Sequence, residues 1–285
     1  MDDYNIGHNE LIKWTYEGSL YCLHVQNDDD PAISPIKKET IIQMPCWGRK
    51  AGLGNVNTRG MDPDDYWRRL VRKHVPDADV LRPALDGKLG YVKAVALGGG
   101  LYDVNGKTDG TVLCESEHED VAADAVVDEM TVPECRAALE DHVFAMPVFC
   151  YDHGGITISC DSTYPYNDEF DGGQIGWATL DKDTVLQNWP CQDDWKAEAE
   201  KAIRSFVKTY DLYLTGDVWY FMLNRKDPGT GKWEELESCG GFLGSGVLAS
   251  GMAENAGHGL EEAIKSGDFE TGKAREVVIR YYDYD

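Results

Sequence analysis

The sequence predicts an α+β fold: an antiparallel sheet built from hairpins, with a few packed amphipathic helices. Three observations predict it. Short stretches rich in aromatic and β-branched residues outnumber stretches of helical period. They are joined mainly by Gly- and Asp-rich turns and not by regular crossover helices, which favours antiparallel pairing. A hydrophobic content of 42% over 285 residues is enough to fill a sizeable core.

Residues 11–25 are rich in Leu, Tyr, Trp and Val and stop at Asn27-Asp28-Asp29-Asp30-Pro31, so they read as one or two strands ended by a turn. Residues 40–47 form a second strand candidate, and 48–60, with four glycines and two asparagines, a loop. Asp62-Pro63-Asp64-Asp65 opens a helix: Asp62 caps it, Pro63 suits its first turn, and the next carboxylates meet the positive end of the dipole. Trp67, Leu70, Val71 and His74 share one face of that helix, and Pro76 closes it. From 83 to 110 the chain is Gly-rich, with Gly98-Gly99-Gly100, and no helical period survives.

Residues 114–141 hold ten carboxylates against Arg136 alone. Val121, Ala125 and Val126 suit one helix there. Thr131 with Glu134 forms a capping box opening a second, through Cys135, Ala138 and Leu139. Strands at 144–151 and 156–160 flank Asp152-His153-Gly154-Gly155, a hairpin turn with two glycines available for positive φ. Residues 174–180 are a further strand. The clearest helix is 193–214, where Trp195, Ala199, Ala202, Ile203, Phe206 and Tyr210 recur at three- and four-residue steps. Strands at 218–224 and 233–237 bracket Asp227-Pro228-Gly229-Thr230-Gly231; 240–246 reads as a Gly-rich connector and 275–284 as a closing strand. This organisation gives an N-terminal α+β part (1–75), an acidic Gly-containing insertion (76–142) and a C-terminal α+β part (143–285) packed with the first.

Charge is the dominant compositional feature: 27 Lys and Arg against 51 Asp and Glu, a net −24 at neutral pH. A field of that sign repels phosphate backbones and anionic lipids, which disfavours direct nucleic-acid or membrane binding. It either serves solubility alone or attracts a basic partner. No run of about 18 apolar residues exists, and the start Met1-Asp2-Asp3-Tyr4 lacks the pattern of a signal peptide, so a cytoplasmic protein is expected. The eight cysteines, without any Cys-x-x-Cys pair, are expected as free core thiols.

No metal or cofactor motif is complete. Asp28, Asp29 and Asp30, and later Asp152, Asp161, Asp168, Glu169 and Asp171, could offer oxygen ligands, but they lack calcium-loop spacing and read as turn residues. His153 beside Asp152 could act as a general base, although local turn bonding is the favoured reading. Gly52-Leu53-Gly54 and Gly98-Gly99-Gly100 lack the Lys-Ser/Thr of a phosphate-binding loop, and no Cys/His spacing suits zinc.

Several segments in one order resemble a family of accessory proteins carried by bacteriophages and other bacterial mobile elements. They are Gln26-Asn27-Asp28-Asp29-Asp30-Pro31; Met44-Pro45-Cys46-Trp47 with Leu53-Gly54; Tyr151-Asp152-His153-Gly154-Gly155-Ile156-Thr157; Phe170-Asp171-Gly172-Gly173-Gln174-Ile175-Gly176; residues 209–218; and Glu237-Ser238-Cys239-Gly240-Gly241-Phe242. The pattern does not cover about 76–141. The resemblance implies a protein of the bacterial host cytoplasm and no particular reaction; accessory proteins of this kind often counter host defence, and those that imitate DNA are strongly acidic.

Two classes of function follow. In the first, Glu115, Glu117, Glu119, Asp120, Asp124, Asp128 and Glu129 form an acidic face that occupies the nucleic-acid groove of a host protein. Carboxylates on adjacent helical turns are spaced by about 6 Å, near the roughly 7 Å between phosphates on one strand. In the second, Asp152, His153, Asp168 and Asp171 serve a metal-dependent enzyme or a small-ligand site.

Overall fold

The computed structural model describes residues 3–29, 34–37, 40–89, 92–98, 101–106, 112–161, 172–189 and 194–274. In chain order its elements are β1 (Glu10–Tyr16), β2 (Ser19–Asn27), α1 (Pro63–His74), α2 (Asp77–Leu85), β3 (Val92–Gly98), β4 (Leu101–Gly106), β5 (Val112–Ser116), α3 (Glu119–Glu129), α4 (Val132–Ala138), β6 (Val143–Asp152), β7 (Ile156–Ser159), β8 (Gly172–Asp181), α5 (Lys182–Asn188), α6 (Trp195–Leu214), β9 (Val218–Lys226), β10 (Trp233–Leu243), α7 (Met252–Ala256), α8 (Leu260–Ser266) and β11 (Glu270–Lys273). Short 3-10 turns cover Pro35–Lys37 and Gly48–Leu53. No described helix is long and apolar enough to cross a membrane.

The fold is α+β, with three antiparallel sheets where the sequence suggested one. The largest runs β10-β9-β2-β1-β11. Its β1–β2 hairpin closes on Glu17 and Gly18, both at positive φ, the backbone twist a two-residue turn requires. One face buries Ile12, Leu23, Val25, Phe221 and Leu223 against α7 and α8 through Met252, Leu260 and Ile264. A second sheet, β7-β6-β8, packs Val148, Ala178 and Leu180 against the Ala199, Ile203, Val207 and Tyr210 stripe of α6. The third, β3-β4-β5, shares a core with α1 to α4. Strands from 10–27 and 218–273 therefore complete one sheet, whereas α1 belongs to the layer that extends to Val143.

Local chemistry explains the helix starts. Asp62 accepts from Asp65 N at 2.8 Å with Pro63 in the first turn, and Asp194 accepts from Lys196 N and Ala197 N. At α4 the carboxylate of Glu134 accepts from both Thr131 N and Thr131 Oγ1.

Several sequence expectations are corrected. Residues 40–47 do not form a regular strand; they run as an extended strap beside β8, joined by isolated bridges at Gln43 and Cys46. Pro45 supplies a carbonyl but no N–H, so a continuous ladder cannot form there. The 48–60 loop contains a 3-10 turn. Residues 77–85 are helical despite Pro83, because Val80, Leu81 and Ala84 bury one face, and the Gly-rich stretch after them contains the β3–β4 hairpin. The α3 face is Ala122, Ala123, Val126 and Val127, with Val121 46% exposed; the small alanines let the helix lie close to its neighbours. The 240–246 connector is largely strand, since β10 runs to Leu243 past a bulge at Gly241, φ +82°. The expected strand at 275–284 lies outside the described residues. The thiols of Cys22, Cys46, Cys114, Cys135, Cys150, Cys160 and Cys239 are free, and burial pushes those of Cys22 and Cys46 up to about 12; Cys191 lies outside the described residues.

The buried β2 residue His24 makes stability sensitive to acid. It is fully buried, and desolvation, helped by nearby His8, lowers its pKa to about 4. The unfolded imidazole titrates near 6.5, so this contribution is complete above that pH and is lost as pH falls from about 6.5 through 4. Urea unfolding at pH 7 and pH 4 is expected to show the wild type losing about 3 kcal/mol more than His24→Gln. Parallel losses in the two proteins would show that His24 does not drive the acid response.

Candidate functional site

The acidic face is assembled by β5 and α3. Glu115 points outward on β5; Glu117 leads into α3, where Glu119, Asp120, Asp124, Asp128 and Glu129 all stand exposed because the apolar stripe turns the other way. The structure divides these seven carboxylates. Arg72 of α1 reaches Asp124 at 2.9 Å and Asp128 at 2.5 Å, so one guanidinium clamps two carboxylates a helical turn apart. Glu115, Glu117, Glu119, Asp120 and Glu129 make no ion pair among the described residues. In the β4–β5 ladder Glu115 stands directly opposite Asp103, a like-charge pair that weakens the sheet.

Of the second candidate set, Asp152 and His153 lie among the described residues. Asp152, on the β6–β7 hairpin, pairs with Lys50 of the 48–53 turn, and His153 lies on the exposed turn with its ring 6.1 Å from that of Tyr151. Asp168 and Asp171, like Glu169 and Asp30, lie outside the described residues. Asp28 accepts from Gly241 N at 3.0 Å and so fastens the end of β2 to the β10 bulge. Asp161 pairs with Arg204 of α6 at 2.7 Å. Among the described residues no group of three or more His, Cys, Asp or Glu converges as metal ligands do. Burial raises the Cys150 and Cys160 thiols, Cys160 to about 11, which keeps both in the weakly nucleophilic protonated form.

Counting charge over the whole chain hides a basic island. Residues 47–75 carry seven Lys and Arg against three Asp, a net +4, so the remaining residues carry −28. Lys50, Arg68 and Arg72 are paired with carboxylates, while Arg49, Arg59, Arg69 and Lys73 make no ion pair among the described residues. A running charge sum along the sequence would have found it.

A third feature is an open cleft of about 590 Å³ between α4 and β6. Arg136 lies over Trp177 at 4.7 Å and over Trp67 at 5.8 Å, and Lys196 stands at the rim near Glu140 and Asp141. Its two cations are already engaged by rings and carboxylates, so the cleft is better explained as packing between layers than as a receptor for an anion.

No family model, curated protein or solved structure matches the chain.

Proposed function

We propose that this protein is an acidic accessory protein of a phage or mobile element that binds and inhibits a host nucleic-acid-handling defence protein, of the anti-restriction or anti-CRISPR type, by presenting the β5–α3 edge to the target's basic groove. The observation that carries the reading is the run of exposed carboxylates Glu115, Glu117, Glu119, Asp120 and Glu129, which make no ion pair among the described residues, beside an Asp103–Glu115 pair that the fold leaves mutually repelling. A basic partner relieves that repulsion, and complementary potentials steer association and set partner choice. Arg72 holds Asp124 and Asp128 in a fixed row, which lowers the entropy lost when a partner engages them.

The test is a pull-down from bacterial lysate with the tagged full chain at low and high salt, followed by competition with duplex DNA. A nucleic-acid-binding protein is expected in the low-salt eluate, lost at high salt and displaced by DNA. Substituting Glu115→Gln, Glu119→Gln, Asp120→Asn and Glu129→Gln together leaves the Arg72 clamp intact and is expected to weaken that complex by about 1 kcal/mol per charge removed. Unchanged binding by this folded variant removes the β5–α3 edge from the reading.

A further inference from the structure

The basic island opens onto a cleft that the acidic-face reading does not use. The cleft holds about 480 Å³ between the 40–43 end of the strap, the 55–57 turn and α1. That volume lies within the usual range for small-molecule sites. Arg69 and Lys73 form its α1 wall, one helical turn apart, and Thr40, Gln43, Asn57 and Tyr66 supply hydroxyl and amide groups around it. No carboxylate lines it among the described residues.

The arrangement of α1 makes this more than a scatter of surface cations. Its four basic residues fall into two rows of i, i+4 spacing. Arg68 and Arg72 turn to the α3–α4 side, where Arg68 Nε donates to Met130 O and Arg72 meets Asp124 and Asp128. Arg69 and Lys73 turn to the cleft and meet no carboxylate among the described residues, in a chain with nearly twice as many acidic as basic residues. The helix dipole accounts for cations near the C-terminal end of α1. It does not account for polar donors gathered opposite them. Asn57 Oδ1 accepts from Arg59 N at 3.1 Å, which leaves Nδ2 as a donor, and the side-chain amide of Gln43 makes no hydrogen bond among the described residues. Ile42 and Leu70 give the cleft a buried apolar floor, and a second cleft of about 580 Å³, lined by Trp47 and Arg59, adjoins it across the same 55–57 turn.

We propose that this cleft binds the phosphate group of a small phosphomonoester, with Arg69 and Lys73 neutralising the anion and Gln43, Asn57 and Thr40 donating hydrogen bonds to its oxygens. Charge-assisted bonds from a guanidinium and an ammonium are the strong part of such recognition. A small ligand is favoured over a polynucleotide by the surrounding field. Screening confines electrostatics to about 8 Å at physiological ionic strength, so one phosphate feels chiefly the local island, while a long strand also meets the acidic remainder of the surface.

The experiment is calorimetric titration of the full chain with inorganic phosphate, with adenosine 5′-monophosphate and with a single-stranded oligonucleotide, against sodium chloride at matched ionic strength. Saturable binding of phosphate or the monophosphate is expected. Equal affinities identify the free anion as sufficient, and a tighter monophosphate shows that the nucleoside contributes. Arg69→Gln with Lys73→Gln is expected to lower affinity at least about tenfold, and Arg69→Lys with Lys73→Arg to stay within about threefold of wild type. Both pairs are exposed, so thermal unfolding without ligand is expected to be unchanged. Heats no larger than those of sodium chloride, wild-type affinity in the Gln pair, or tighter binding of the oligonucleotide would each overturn the proposal.

Discussion

Replacing Gly176 by Ala is expected to cost about 4 kcal/mol or more of stability and to dislodge the strap formed by residues 43–47. A Cβ at Gly176 would sit 2.0 Å from Pro45 O and 3.0 Å from Cys46 Cα, both backbone atoms that no rotamer change can move. The strap cannot retreat, because a Cβ built on Gly54 on its far side would lie 2.3 Å from Met44 O, so backbone already packs closely there. Four backbone bonds hold it to β8: Gln43 N to Thr179 O, Thr179 N to Gln43 O, Trp177 N to Pro45 O and Trp47 N to Ile175 O. Asn55 adds two from the other side, accepting from Met44 N at 2.7 Å and donating to Ile42 O at 2.8 Å. Displacing the strap exposes Met44 and Cys46, both fully buried. Urea unfolding followed by far-ultraviolet dichroism measures the effect, with Gly173→Ala as control, since nothing lies within 4 Å of a Cβ there. Equal stability of the two variants would show that β8 shifts freely and that the strap is not clamped.

The strap also brings together segments that lie far apart in the sequence. The Met44-Pro45-Cys46-Trp47 segment meets the Gly172-to-Gly176 segment at the strap. Asp28 of the Asn-Asp-rich segment binds Gly241 N in the 237–242 segment. Asp211, within 209–218, accepts from Ile158 N at 2.8 Å, next to the 151–157 segment, and burial raises its pKa while that bond lowers it. The strap thus meets β8 through backbone bonds, and the other two contacts are carboxylates accepting from backbone N–H groups.

Elements governed by neighbours in sequence were legible: the Asp62-Pro63 helix start, the Thr131–Glu134 box, the α6 stripe and the hairpins around 152–155 and 227–231. Elements governed by distant partners were not. The strap pairs with residues 136 positions away, as at Gln43 and Thr179, and no local period encodes that distance. Helix α2 forms around Pro83 because tertiary burial outweighs propensity, and the short α7 and α8, in a stretch for which the sequence offered no element, begin after glycines at positive φ. At the acidic face the residues were legible but their state was not, since Arg72 lies 52 and 56 positions from the carboxylates it clamps. The basic island was masked by summation over the whole chain.

The remaining large effect is expected at Trp67, where Trp67→Ala should cost about 3–5 kcal/mol. Its indole is almost wholly buried and joins three elements at once. It stands edge-on to Trp177 of β8 at 5.2 Å and to Tyr66 at 6.0 Å, and Arg136 of α4 lies over its face. Tyr66 in turn shares a hydrogen bond with Thr179 at 2.8 Å, so α1 is fixed to β8 by an aromatic cluster with a polar anchor. Truncation removes the ring that connects the α1–α4 layer to the β6–β8 sheet and leaves Arg136 with only Trp177 to cover. Trp67→Phe retains part of the area and is expected to lose about half as much. A double-mutant cycle pairing Trp67→Ala with Trp177→Ala should return a coupling of about 1 kcal/mol or more, as residues in direct contact do. Strict additivity would mean that the two rings stabilise separate layers, and the attachment of α1 would then rest on the Tyr66–Thr179 bond and the aliphatic contacts of Leu70 and Val71.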